Sequence, residues 1–397
     1  MTMELPELEV AADGPLRGIK VLDLSRLVAG PMAAMSLGEL GATVIKVERT
    51  GSGDDVHLWG PPFVESETPY FLGLNRNKYG LALDLGADNG RAVIRRLAVE
   101  WADVVIENFK EGTLERWGIG LDSLRAANPR LITGTVRGYP EGDSRPGYDF
   151  VIQAGTGLMA LTGPADGDPY RVGYPICDVN AGQFLLSGLL AALLERERSG
   201  LGQHVSVSLW EAQAAVLVSA HQLFLMTGRV ASRVGNGNIS AGPYGLYPTK
   251  TTAVALCCGN DSQFVALAQA LGHPEWIDDP ELHPNKARVV NKERVDALMI
   301  EAFAERTAEE VIELVLGAGV PCGPLRTIDE VYTAPEAAQM IATTQHATIG
   351  EIPAVLLPWR FSRTPSGAAL AAPTLGQHND TILPHLEHEE PAHPPIG

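Results

Sequence analysis

Hydrophobic positions change period along the chain in a regular order. Residues 18–25, GIKVLDLS, form a β-branched run that ends in polar residues, and VAGPMAAMSLGELG follows with Pro31 suited to a helical first turn. ATVIKVER (42–49) is a second strand. Strand, helix and strand in this short space make a βαβ unit and imply a parallel sheet. The alternation continues, with DNGRAVIRRLAVEWA as helix, DVVIENF as strand, SLRAANP as a helix end and RLITGTVRGY as strand. This pattern predicts a Rossmann-like α/β domain.

Further on, VGYPICDVNAGQ leads into FLLSGLLAALLERERSG, a helix over 184–198 with hardly a polar face, stopped by Gly200. QHVSVSLWEAQAAVLVSAHQLFLMTG is a short strand entering a long helix, and 227–245 is rich in Gly, Ser and Asn, a linker composition. After it come a strand, a Gly-Asn turn and a helix in YPTKTTAVALCCGNDSQFVALAQALG, then two amphipathic helices between 290 and 321. The predicted division is a large domain over 1–227, a smaller α/β domain over 228–335, and a segment over 336–397 that returns to the large domain. HLEHEEPAHPPIG reads as a frayed end.

Composition narrows the function. The chain has 397 residues, 45% apolar and 20% charged, with a formal net charge of −18. Such an acidic surface repels phosphate backbones and argues against nucleic acid, while a local basic cluster can still hold one anionic small molecule. The apolar runs read as too short and interrupted to span a bilayer, so no membrane partner is expected. Cys177, Cys257, Cys258 and Cys322 include no C-x-x-C pair, and adjacent strand-like cysteines point to opposite faces. With no basic and apolar leader in MTMELPELEVAADG, a reducing, cytoplasmic setting is expected. The turn after the first strand reads SRLVAGP in place of G-x-G-x-x-G, and no G-x-x-x-x-G-K-[ST] occurs. That argues against a nicotinamide dehydrogenase and a kinase alike.

Asp178 is a single acid at the entrance of the apolar helix. An acid in that place is a cap by default. A helix start also stabilises a carboxylate and offers N–H groups to developing oxyanions, so capping and chemistry are compatible.

VLDLSRLVAGP, LGATVIKVERTGSGDD, NRNK, VIENF, GYDFVIQAGTGLMALTG, PICDVNAG and ERERSGLGQHVSVSL, in this order from about residue 16 to 383, resemble the class III CoA-transferases, typified by formyl-CoA transferase. The stretch from GSGDD to ALDL is most similar to the succinyl-CoA:glutarate, or dicarboxylate, type. The resemblance implies a ring-shaped chain in an interlocked homodimer. It implies transfer of CoA from a short acyl-CoA, such as succinyl-CoA or another dicarboxylyl-CoA, to a carboxylic acid. Coenzyme A then enters with the substrates and no cofactor is tightly bound. Asp178, followed by Gly182 in the Asp-x-x-x-Gly context, maps onto the nucleophile, which passes through an aspartyl anhydride and an aspartyl-CoA thioester. On this reading Ala181 and Gly182 leave room for the thioester, and the helix start keeps Asp178 ionised.

The positions that contact CoA in the family fall on Val28, Ala29, Arg49, Lys78, Asn108, Phe109, Arg116, Arg137 and Tyr139. Each cation alone reads as a solvated surface charge; together they make a basic footprint for CoA phosphates. Val28 replaces the Gln of formyl-CoA transferase, which argues against oxalate or formate. Tyr148 stands where acyl-CoA racemases of this fold carry a proton-shuttling His, and with a reference pKa near ~10 it is a poor base; plain packing is its other reading. Gly259, Asn260 and Asp261 lie where the family has a Gly-rich lid, with an ordinary strand-to-helix turn as the alternative. His378 reads as structural, and His385 and His388 as stray histidines, so no metal is assigned. The other functions in view are an acyl-CoA racemase or epimerase and a CoA-ester-binding protein without turnover.

Overall fold

The computed structural model describes residues 5, 8 and 13–387. His388 and the end of the acidic tail lie outside the described residues. The chain divides into two compact units. One comprises the chain up to Leu158, Val172–Gln222 and the segment from Ala338; the other comprises Met159–Arg171 and Leu223–Ala337.

The first unit is built on six parallel strands: β1 (Lys20–Asp23), β2 (Thr43–Arg49), β3 (Tyr79–Leu83), β4 (Val104–Glu107), β5 (Ile132–Arg137) and β6 (His204–Ser208). Their order is β3-β2-β1-β4-β5-β6. Val21 lies opposite Val44 on one side and Val104 on the other. The chain steps outward from β1 to β3 and then returns to place β4 on the other side of β1. The switch point of the Rossmann-type sheet therefore falls between β1 and β4, and ligands bind at the carboxyl ends of such strands.

Both faces of the sheet are covered, so its central strands are nearly continuous apolar runs. Leu22, Ile45, Val47, Leu81 and Val105 point to one layer, with Ile94, Leu97 and Leu124 from the covering helices. Val21, Val44, Val104, Ile106 and Ile132 point to the other, packed by the Ala29–Glu39 and Ile176–Ser199 helices. The strand at 79–83 was not expected from the pattern. Every residue in it is buried, and Lys78 and Gly80 hide its apolar run. The returning C-terminal segment closes the free edge of β3. Gly80 N donates to His378 Nδ1 (3.0 Å), and Asn379 exchanges hydrogen bonds with Ala82 N (2.9 Å) and Ala82 O (3.1 Å). This covers an edge that would otherwise be open to another strand, and it is a structural use of His378.

The apolar helix begins at Ile176, about two turns before the 184–198 expected, and Gly200 ends it with φ 76°. Its 24 residues are long and apolar enough to cross a bilayer, contrary to the expectation from the runs alone. It serves as a core helix: Leu185, Leu186 and Leu189 lie in the second core layer, and buried Arg196 pairs with Asp103 (2.9 Å).

The second unit holds the antiparallel strands β7 (Tyr244–Tyr247), β8 (Val254–Cys257) and β9 (Cys322–Pro324), with helices at Asp261–Leu271, Lys292–Phe303 and Ala308–Gly317 around Phe264, Met299 and Phe303. The expected boundaries shift in two places. Residues 159–171 join this unit, because the Arg233 guanidinium donates to the carbonyls of Pro164 (3.2 Å) and Gly167 (2.8 Å). The long helix expected after β6 breaks at Leu217 into Leu209–Val216 and Val218–Thr227, and the division falls within the second piece. Strands β10 (Ile341–His346) and β11 (Gly350–Val355) form a hairpin in the first unit.

Candidate active site

Asp178 occupies the first turn of the Ile176–Ser199 helix and does not cap it. Capping comes from another helix. Asp149, first residue of the Asp149–Gly155 helix, accepts the Cys177 N–H at 2.9 Å. Its other oxygen accepts from Gln153 Nε2 (2.8 Å), and Gln153 Oε1 accepts the Val172 N–H (2.8 Å). Gln153 is fully buried and so fixes Asp149 on one side. With that donor taken, the Asp178 carboxyl makes no hydrogen bond or ion pair among the described residues. Burial first, and the charge of Asp149 second, push Asp178 up from 3.8 to about 7. The helix start therefore does not hold Asp178 firmly ionised, as the sequence suggested.

The small residues after Asp178 also have a different use. Ala181 is fully buried in the core, and a Cβ on Gly182 would lie 2.8 Å from the Ala29 carbonyl oxygen. Their size lets the helix pack against the Ala29–Glu39 helix. Asp178, four residues before Gly182, stands on the same helical stripe one turn earlier.

The loop between β1 and that helix is clamped from both sides. Asn108, after β4, accepts the Arg26 N–H (2.8 Å) and donates to the Arg26 carbonyl (2.7 Å). Asp54, after β2, accepts the Leu27 N–H (3.0 Å) and pairs with Lys46 (3.0 Å), which donates also to Ser25 O (3.0 Å). Burial opposes the Lys46 charge, but Asp54, Asp23 and Glu48 outweigh it and raise its pKa. Leu27 is held at φ 68°, a left-handed conformation that a branched residue keeps only when its surroundings impose it.

A cleft of about 410 Å³ opens at the carboxyl ends of β1 to β4, at the switch point. Leu24, Val47, Leu85, Phe109 and Trp117 give it apolar walls, and Arg26, Arg49 and Lys110 supply cations. One wall is stiffened by His57. Its ring donates to the carboxylates of Glu48 (Nε2, 2.9 Å) and Glu67 (Nδ1, 2.8 Å) and stacks on Phe71 at 3.7 Å. Burial works against its charge, yet the two carboxylates raise its pKa to about 9.

The model of CoA-transferase family III matches residues 16–379. The chain belongs to CoA-transferase family III. The mouse succinyl-CoA:glutarate CoA-transferase is 35% identical over 393 residues, spanning 98% of this chain and 90% of that protein. The succinate–glutarate CoA-transferase of Agrobacterium fabrum is 37% identical over 386 residues, spanning 94% of this chain and 96% of that protein. Among solved structures, a CAIB/BAIF family protein from Brucella suis superposes with a TM-score of 0.84 at 35% identity, covering 94% of this chain and all of that one.

In this CoA-transferase the positions carried over from the family separate into three groups. Arg49 and Phe109 line the cleft. Arg116 is exposed at the end of the short Thr113–Arg116 helix, whose Thr113 lines the cleft, and donates to Thr113 Oγ1 (2.9 Å). Asn108, Val28, Ala29 and Lys78 belong to the scaffold beneath. Val28 and Ala29 are buried, and Lys78 is sealed with its ammonium on Asp23 (2.8 Å), Asn75 Oδ1 (2.8 Å) and Pro31 O (2.9 Å). Burial pulls Lys78 down to about 8 against the attraction of Asp23. The third group lies at the end of β5, outside this cleft: Arg137 pairs with buried Glu107 (2.9 Å), and Tyr139 lies under Arg145.

Tyr148 neither packs in the chain nor caps the helix it precedes, and is 60% exposed. The turn at Gly259, Asn260 and Asp261 is anchored: Gln263 Oε1 accepts Gly259 N, the Asn260 side chain caps the next helix, and Asp261 pairs with buried Arg288 (2.8 Å). All four cysteines are free, and among the described residues no cluster of His, Cys, Asp and Glu could hold a metal. Asp149, Gln153, Arg26, Lys110 and Trp117 were missed in the sequence. For the first two a signal existed, an acid at a helix start with Gln four residues later on the same face.

Proposed function

We propose that this CoA-transferase moves CoA from succinyl-CoA to a dicarboxylate of the glutarate kind, with Asp178 as covalent carrier. The relatives' names supply the substrates. The observation that carries the mechanism is the half-buried Asp178 carboxyl, left without a partner among the described residues because Asp149 takes the capping position.

The Asp178 carboxylate attacks the thioester carbonyl, the C–S bond breaks, and a succinyl-aspartyl anhydride forms with CoA thiolate. The thiolate attacks the aspartyl carbonyl of the anhydride and expels succinate, leaving an aspartyl-CoA thioester. The acceptor carboxylate attacks that thioester, giving a second anhydride and thiolate, and thiolate attack on its acyl carbonyl releases the new acyl-CoA and free Asp178. Each step conserves activation, since anhydride and thioester are both reactive acyl groups. A site that disfavours the charged carboxyl also favours converting it into a neutral anhydride or thioester.

The cleft at the ends of β1 to β4 suits the nucleotide end of CoA, with an aromatic wall for the base and cations for phosphates. Leu24 and Arg26 of the clamped loop line it, while Ala29, on the same loop-helix segment, meets Gly182 of the nucleophile's helix. One segment thus links the nucleotide end to the reacting end. In this reading the enzyme needs no tightly bound cofactor and works in the cytoplasm as a homodimer. Phe224, Leu225 and Met226, each more than half exposed, supply apolar surface for a partner copy; a monomer in sedimentation at micromolar concentration would remove that part.

The test is a rate survey with succinyl-CoA against isotopically labelled succinate and against glutarate, malate, oxalate and formate. Transfer fastest with dicarboxylates of four or five carbons supports the assignment. Exchange of an acyl α-proton with solvent, without need for an acceptor, would replace it with racemase chemistry.

A further inference from the structure

Asp54 and Asp55 are adjacent and face opposite ways. Asp54 is buried and spent on Lys46 and on the backbone of the clamped loop. Asp55 is half-buried, its side chain 40% exposed, and its carboxylate bridges two guanidiniums that line the cleft. Arg26 Nη1 lies 3.3 Å from one of its oxygens and Arg49 Nη2 lies 2.5 Å from the other. Both arginines are held from behind: Arg49 Nε donates to Gly53 O (3.0 Å), and the Arg26 guanidinium sits 5.4 Å from the Phe109 ring centre. One negative charge therefore serves two positive ones. Arg26 Nε is in addition a buried donor without a partner among the described residues, which is costly unless a ligand supplies an acceptor.

A phosphate matches this arrangement better than the carboxylate does. It brings up to two charges and three terminal oxygens, and planar guanidiniums bind it through paired N–H groups. Lys110, on the same cleft, has no ion pair among the described residues and adds to the attraction. We propose that Asp55 is a placeholder anion: it holds Arg26 and Arg49 together until a phosphate of the CoA nucleotide end displaces it, and so sets how tightly phosphorylated acyl-CoA is held and how readily it leaves. This rests on the reading that the cleft takes the nucleotide end. It assigns Asp55 a tuning role opposite in sign to that of a ligand contact, because removing it strengthens binding.

Calorimetric titration of the full chain with CoA and with dephospho-CoA tests the proposal, using the wild type, Asp55→Asn, Asp55→Ala and the double variant Arg26→Ala/Arg49→Ala. Each exposed pair is worth a fraction of a kcal/mol to about one, so loss of the competing anion should tighten CoA by about three- to tenfold. Tightening of CoA alone identifies the 3′-phosphate as the displacing group. Equal tightening of both ligands identifies the diphosphate they share. An Asp55 variant that binds CoA no better, while the double arginine variant binds it worse, overturns the placeholder and leaves the cleft assignment standing. CoA affinity unchanged in the double arginine variant removes the cleft assignment, and the placeholder with it.

Discussion

Asp149→Asn is the most informative change near Asp178, the proposed nucleophile. Asparagine keeps an oxygen for the Cys177 N–H, so the helix stays capped, while the charge beside Asp178 disappears. The opposite amide edge then faces Gln153 Nε2, and loss of that hydrogen bond costs about 1 kcal/mol of stability. Asp178 stands about three units above its ordinary value of 3.8, with burial as the larger cause and Asp149 as the smaller. The share of Asp149 is therefore less than half of that rise, which is under about 2 kcal/mol at 1.36 kcal/mol per pH unit. On the proposed mechanism the attacking group is the Asp178 carboxylate, so activity should rise with pH through the Asp178 pKa. The acid limb of kcat/KM is expected near 7 in the wild type and at lower pH in the variant, by less than half of the rise from 3.8. Initial rates of CoA transfer from succinyl-CoA to glutarate between pH 5 and 9 give both limbs. An acid limb that stays in place or moves upward in a folded variant would refute the role given to Asp149.

Three further outcomes follow from the same contacts. Asp178→Asn should stabilise the protein at pH 8 and leave it unchanged at pH 4. The folded chain holds the Asp178 proton up to about 7 and the unfolded chain only to about 4, so stability is lost as pH rises between them. The full shift corresponds to about 4 kcal/mol, and water at the half-buried side chain reduces the gain to about 1 to 3 kcal/mol, readable by urea unfolding at the two pH values. Lys78→Met should cost about 3 to 5 kcal/mol by leaving Asp23 buried without its ammonium; wild-type unfolding together with weakened CoA binding would instead make Lys78 a ligand contact. Gly182→Ala places a methyl 2.8 Å from the Ala29 carbonyl and should cost about 1 to 3 kcal/mol, seen as a lower melting temperature; an unchanged melt would contradict the close packing.

The sheet was largely legible because a strand buried on both faces leaves a continuous apolar run, as in VLDL and TVIKV. β3 escaped notice because its flanks carry Lys78, whose charge is cancelled only by Asp23 in the folded core. Asp178 stood out as the candidate nucleophile through its motif, yet the reasons given for its surroundings differ from what the structure shows. Ala181 and Gly182 are small for helix packing, and the cap belongs to Asp149, 29 positions away in sequence. Charged residues were the hardest to place. Lys46, Lys78 and Arg288 are fully buried, while Arg26 and Arg49 reach a cleft, and only the fold shows which carboxylates meet them. Arg26 carried no signal in SRLVAGP beyond its charge.

Covalent capture tests the central claim most directly. The enzyme is mixed with succinyl-CoA without acceptor, quenched in acid, digested and analysed by mass spectrometry. The account predicts CoA attached, with loss of water, to the peptide bearing Asp178, and its disappearance on adding glutarate. Turnover with the CoA adduct on another residue, or full transfer activity in Asp178→Ala, would contradict it.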